Sequence, residues 1–178
     1  LLTLISKTDD SQGAFGYGYA GLENGDPDNK PLDIGPLKAT PAFCGYSDDS
    51  KDVKALYIES IWGNVWDAIA GLVVTTSKEY KAKMTPPYNV TGDGYVSTGV
   101  TLQGTGGTFV KGSYCSPVYG YLPGALSGSG TTYMCDILYF NSGKFGYAMV
   151  GGAYDSELDA GNRALTVYDD ATITGTHL

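Results

Sequence analysis

Residues 89–130 constrain this chain more than any other stretch: they form a long run rich in glycine, threonine and serine, without a helical period. A helix buried on one face needs apolar residues every three to four positions, and each interior glycine weakens it by about 1 kcal/mol relative to alanine. Structureless loops of that length are uncommon in compact domains, so 89–130 is either a functional loop or a set of short strands. Composition points the same way. The 178 residues include 26 glycines and 8 prolines, which supply turns. They also include 15 tyrosines, whose ring and hydroxyl suit half-buried strands and recognition surfaces alike. The expectation is a turn-rich β or α+β fold with few helices, and a length of 178 residues suits one domain, 1–178.

Along the chain, residues 1–7 alternate weakly and predict an N-terminal strand, with further short strands around Ala14–Tyr19 and Ala42–Tyr46 in a segment rich in Gly, Asp, Pro and Ser. The apolar run 53–74 is ambiguous: Ile58, Ile61 or Trp62, Val65 and Ile69 fit a helix, whereas Val65, Asp67 and Ile69 alternate like a strand. Gly63-Asn64 is a plausible turn inside it. Lys81-Ala82-Lys83-Met84 predicts a strand stopped by Pro86-Pro87. From Thr131 onward three β-like runs are separated by Asn141-Ser142-Gly143-Lys144 and by the Gly-rich stretch 151–161, the pattern of a meander.

A formal net charge of −8, with 11 scattered basic residues, argues against nucleic acid and anionic membrane surfaces, which require clustered Lys and Arg. No apolar run approaches the ~20 residues of a spanning helix, so membrane insertion is not expected. Leu, not Met, stands at position 1, as it would in the C-terminal part of a longer protein.

Histidine-based catalysis or metal binding would have to use His177, the only histidine, one residue from the end. Cys44, Cys115 and Cys135 are odd in number and contain no C-x-x-C pair; a Cys115–Cys135 bridge is one arrangement, buried free thiols the expected one. Gly16-Tyr17-Gly18-Tyr19-Ala20-Gly21 matches G-x-G-x-x-G, but Leu-Glu-Asn-Gly-Asp-Pro follows and cannot open the helix that a dinucleotide needs. The acids Asp26, Asp28 and Asp33, and Asp48, Asp49 and Asp52, lack EF-hand spacing. No cofactor or metal is expected. Asn89-Val90-Thr91 is a glycosylation sequon, meaningful only in a secreted eukaryotic chain.

In Arg163-Ala164-Leu165-Thr166-Val167-Tyr168, strand alternation sends Leu165 and Val167 to one face and Ala164, Thr166 and Tyr168 to the other. The first set is core-like; the second suits a binding surface or any exposed strand face. Upstream, Tyr154-Asp155-Ser156-Glu157-Leu158-Asp159 lies between Gly152 and Gly161 and displays mixed chemistry.

Two segments carry a resemblance. Trp62-Gly63-Asn64-Val65-Trp66-Asp67 resembles the G-N-V-W-E-W segment of the formylglycine-generating-enzyme branch of the C-type lectin fold, and Val150-Gly151-Gly152-Ala153-Tyr154-Asp155 resembles that branch's G-G-S-W segment. More closely, most of the chain is similar to the variable proteins of diversity-generating retroelements, especially those of gut bacteriophages. The similarity runs through Leu2–Ser6, Phe15-Gly16-Tyr17-Gly18, Trp62–Gly71, Lys83-Met84-Thr85-Pro86-Pro87-Tyr88-Asn89, Thr131–Phe140 and Tyr147–Gly152.

This resemblance implies a C-type lectin fold, α+β and β-rich, with a turn at Gly63-Asn64 followed by a strand. It also implies a function in binding, since in that family adenine-directed mutagenesis rewrites a C-terminal stretch while the scaffold stays constant. Where the family reads G-G-x-W-N-N-G-x-N-A-G, this chain has Gly151-Gly152-Ala153-Tyr154-Asp155-Ser156-Glu157-Leu158-Asp159-Ala160-Gly161, so several asparagine positions are replaced. The variable, ligand-facing residues carried over are Tyr154, Asp155, Glu157, Asp159, Asn162, Arg163, Thr166, Tyr168, Thr172 and Thr174, with Tyr139, Asn141 and Lys144 as further members. The partner implied is a protein or glycan on a cell surface, met by a domain displayed multivalently on a virion. Cys115 and Cys135 lack the context of the enzymes' catalytic cysteines, so activity is not carried over. The rival expectations are a phage head or tail protein with a non-variable surface, and a thiol-dependent enzyme on the same fold.

Overall fold

The computed structural model describes residues 16, 18–22, 30–33, 43–44, 52–55, 57–104, 106–132, 136–141 and 143–168. A small sheet comes first, in the order β1 (Phe43–Cys44), β2 (Lys54–Ala55) and β3 (Ile58–Glu59). The remaining strands are β4 (Asp67–Val74), β5 (Glu79–Ala82), β6 (Val96–Thr101), β7 (Thr108–Ser116), β8 (Gly120–Leu126), β9 (Ile137–Phe140), β10 (Gly146–Gly151) and β11 (Gly161–Tyr168). They form one eight-stranded sheet in the order β6-β5-β4-β10-β11-β9-β7-β8. Its edges approach each other: the Gln103 amide donates to the Gly124 carbonyl at 2.8 Å, and the sheet is nearly closed. The concave side is the main core, in which Tyr80, Leu122, Leu138, Phe140, Leu165 and Val167 are buried.

The expectation of a β-rich chain holds. Its helical part has no α-helical counterpart among the described residues, where only Glu157–Asp159 forms a 3-10 turn. Residues 89–130 resolve into β6, β7 and β8, so short strands account for most of that stretch. The ambiguity in 53–74 resolves to strands around a turn, with Gly63 and Asn64 both at positive φ (78° and 63°). β1 falls within the strand expected around Ala42–Tyr46, and β5 ends before Pro86-Pro87. Residues 18–22 are irregular where a strand was expected to end, and 1–7 lie outside the described residues.

Gly71 shows how one residue shapes the sheet. At φ 87°, its carbonyl accepts from the Lys83 amide at 2.9 Å, and a Cβ there would lie 2.4 Å from the Lys83 carbonyl oxygen. β4 is exposed or half-buried through Ala70 and buried from Gly71 to Val74. The register against β10 jumps correspondingly, with Met149 opposite Ala68 but Tyr147 opposite Val73. The strand thus bulges as it passes from surface to core.

The meander expectation needs correction. β9 and β10 are consecutive but not neighbours, because β11 inserts between them, antiparallel to β10 and parallel to β9. The cause is β11 itself: Ala164, Leu165, Thr166 and Val167 are all buried, and a strand covered on both faces belongs at a sheet's centre.

Candidate functional site

One end of the β10–β11 pair is built on the Gly63-Asn64 turn. The Gly63 amide donates to the Gly151 carbonyl at 3.1 Å, and the Asn64 carbonyl accepts from the Tyr154 amide at 3.0 Å. The two segments that carry the resemblance, far apart in the chain, therefore lie side by side. The Asn64 amide donates to Tyr19 O at 2.7 Å, while its side chain grips the Leu32 backbone twice, accepting from the amide at 2.7 Å and donating to the carbonyl at 3.1 Å. Positive φ at a buried, side-chain-bonded position suits asparagine better than most residues. Trp62 is buried beside Ala20, Val53, Ala55 and Ala160, and its indole nitrogen donates to Gly16 O at 3.1 Å.

Residues 152–160 loop over this base. Gly152 sits at φ 95°, and a Cβ there would lie 2.7 Å from that of Ala160, so the turn closes only without a side chain. Leu22 N donates to Tyr154 O at 2.9 Å, Glu157 N to Ala20 O at 2.5 Å, and Ala153 N to Ser156 Oγ at 2.8 Å. Glu157 is exposed and Asp155 and Asp159 are half-buried, which makes the loop's outer side acidic. Burial, with the neighbouring Glu157 charge adding to it, raises the Asp159 carboxyl above the ordinary aspartate range.

The structure divides the expected ligand-facing residues. Asp155, Glu157 and Asp159 share this loop, and Asn162 and Arg163 follow it on β11. Tyr139 is exposed on β9; Asn141 and Lys144 are exposed in the turn between β9 and β10, where the Lys144 amide donates to Asn141 O at 3.1 Å. That turn joins the opposite end of β10, the end at which Tyr168 pairs with Tyr147. Six residues of extended strand separate the two ends by roughly 17 Å. Thr172 and Thr174 lie outside the described residues.

Two of the expected residues are interior. Tyr154 is 6% exposed, its main chain held between Asn64 and Leu22, and Thr166 is 6% exposed in the central strand. Alternation assigns opposite faces correctly but cannot tell whether the second face meets solvent; at Ala164 and Thr166 it does not. The expectation of buried thiols is likewise overturned at Cys115, which is free and exposed on β7 opposite Tyr121. Cys135 lies outside the described residues.

Next to the loop is a cleft of about 550 Å3 that the sequence reading did not anticipate. It is lined by Leu32, Ile58, Glu59, Ser60, Ile61, Asn64, Val65 and Asp67. Behind Ser60 lies Asp52, 6% exposed, accepting hydrogen bonds from Ser60 Oγ and from the Val53 amide at 3.0 Å. Burial, partly opposed by these bonds and reinforced by the charges of Glu59 and Asp67, pushes the Asp52 carboxyl up to about 6. Burial also raises Asp67. The sequence signal was present, since Ile58, Glu59 and Ile61 belong to the strongest apolar run, but the carboxylates come from three separate segments.

No group of three metal-ligating side chains occurs among the described residues. In the sequon, Asn89 Nδ2 donates to Asp93 O at 2.9 Å while its Oδ1 accepts from the Asp93 amide and Thr91 Oγ1, so the motif closes its own turn. The fold and site define a β-rich domain with a loop-built, acidic end on a nearly closed sheet. No protein-family model, curated protein or solved structure matches this chain.

Proposed function

We propose that this chain is a C-type-lectin-fold variable protein of the diversity-generating-retroelement kind, a domain that binds a ligand and catalyses no reaction. The observation that carries the reading is how the 152–160 loop is held. Its ties to 19–22 and 63–64 run through main-chain groups: Gly151 O, Tyr154 N and O, and Glu157 N. Main-chain ties are indifferent to side-chain identity, so Glu157 and Asp159 can change while the loop keeps its path. Ser156 adds a side-chain tie within the loop, since its hydroxyl caps the Ala153 amide, and it is not among the positions the resemblance marks as variable.

On this reading the ligand-facing set is Asp155, Glu157, Asp159, Asn162 and Arg163 at the loop end, while Tyr154 and Thr166 belong to the scaffold. Tyr139, Asn141 and Lys144 form a second exposed group at the far end. The partner is a protein or glycan on a cell surface, and display of many copies on a virion offsets modest affinity per domain.

The test is to sequence the 3′ part of the gene across sister isolates and look for a nearby near-identical template repeat. Adenine-confined differences concentrated at codons 155–163, sparing 154 and 166, are expected. A uniform sequence with no template would overturn the reading and move a structural head or tail protein ahead of it.

A further inference from the structure

We infer that the cleft between the small sheet and the start of β4 is a binding site for a cationic side chain, the lysine or arginine of a protein partner. The site is distinct from the loop end and does not depend on that surface being variable. Its walls are aliphatic: Leu32, Ile58, Ile61 and Val65 line it, and Ile58 is 54% exposed although it stands in a strand. Two carboxylates also line it, Glu59 from β3 and Asp67 from the first position of β4. The volume falls within the ~300–1,000 Å3 of small-ligand clefts.

Charge decides the occupant. The charges of Glu59 and Asp67 both act on Asp52, which lies behind Ser60, so the three acids are neighbours. Lys54 stands opposite Glu59 across β2–β3, with its Nζ 5.7 Å from the Tyr57 ring centre. The described cleft-lining residues include the two carboxylates of Glu59 and Asp67 and no basic side chain. An anionic guest would be repelled by Glu59 and Asp67, and a purely apolar one would use only the aliphatic walls. Lysine and arginine match both halves of the cleft: an apolar stem for the isoleucine and valine walls, and a charged head to donate charge-assisted hydrogen bonds to the carboxylates. The Asn64 side chain is held in place by Leu32, whose backbone bonds both its oxygen and its nitrogen.

The test uses the 15N-labelled full chain titrated with N-acetyl-lysine methylamide, N-acetyl-arginine methylamide and the uncharged stem analogue N-acetyl-norleucine methylamide. Saturable amide shifts confined to residues 58–67 are expected for the two cations, with norleucine at least tenfold weaker. Asp67→Asn, at an exposed strand end, should weaken lysine binding at least fivefold while leaving the remaining spectrum unchanged; Glu59→Gln provides a second variant from another strand. Equal binding of norleucine, shifts centred elsewhere, no saturation, or unchanged affinity in both variants would each overturn the proposal. None of these outcomes bears on template-directed variation at 155–163, so the two readings fail separately.

Discussion

Asp52 makes the stability of this domain fall as pH rises from mildly acidic to neutral. Its carboxyl is pushed from 3.8 to about 6 in the folded chain, chiefly because burial disfavours the charged form. Below pH 3.8 both folded and unfolded chains hold the proton, and the group contributes nothing to pH dependence. Between 3.8 and about 6 the unfolded chain releases it while the folded chain keeps it, so unfolding becomes progressively easier. Above 6 both are ionised and the whole cost is present. Each pH unit across that window is worth about 1.4 kcal/mol, giving about 3 kcal/mol in total. Asp52→Asn removes the ionisation and keeps the shape: the amide oxygen still accepts from Val53 N, and the amide nitrogen can donate to Ser60 Oγ. Asp159, raised in the same direction by burial and by Glu157, is common to both proteins and cancels in the comparison. Urea unfolding of both proteins at pH 3.5, 5, 6 and 7.5 gives the answer. Relative to wild type, the variant should gain about 3 kcal/mol across the series, most of it between pH 4 and 6. A wild-type-to-variant difference that stays constant with pH would refute the assignment of this titration to Asp52.

Two further predictions follow from burial. Trp62→Ala should cost about 3–5 kcal/mol, because a fully buried ring and its bond to Gly16 O are both lost; Trp66→Ala should cost clearly less, since Trp66 is half-buried. Equal melting temperatures for the two variants would contradict this ranking. Tyr80 is fully buried with a hydroxyl that has no hydrogen-bond partner among the described residues, so Tyr80→Phe should stabilise the domain by about 1–3 kcal/mol in the same unfolding assay. A destabilised Tyr80→Phe would mean that the hydroxyl is satisfied after all, by a buried water.

Local features were legible in the sequence wherever one residue type has one structural use. Gly63-Asn64 read as a turn and is one; β10 falls inside its run marked as β, and β11 overlaps its run but starts three residues earlier, at Gly161. Pairing was not legible, because nothing in FGYAMVGG or ALTVYDD states that the last strand lies between its two predecessors; that order follows from burial on both faces of β11, a property of the assembled sheet. Glycines such as Gly99, Gly112 and Gly124 interrupt the apolar alternation of β6, β7 and β8, which is why 89–130 read equally well as a loop. The candidate sites divide along the same line. Asp155, Glu157 and Asp159 are contiguous and bracketed by glycines, so the loop could be found by reading along the chain. Asp52, Glu59 and Asp67 become one electrostatic unit only when the small sheet docks beside β4, and no spacing rule joins them. What links the two regions is Asn64, whose side chain lines the cleft while its carbonyl holds Tyr154 beneath the loop. On the two readings proposed above, a partner that seats a cation in the cleft would bring its neighbouring surface toward 155–159, so the cleft would supply affinity common to many partners while the adjacent loop would distinguish among them.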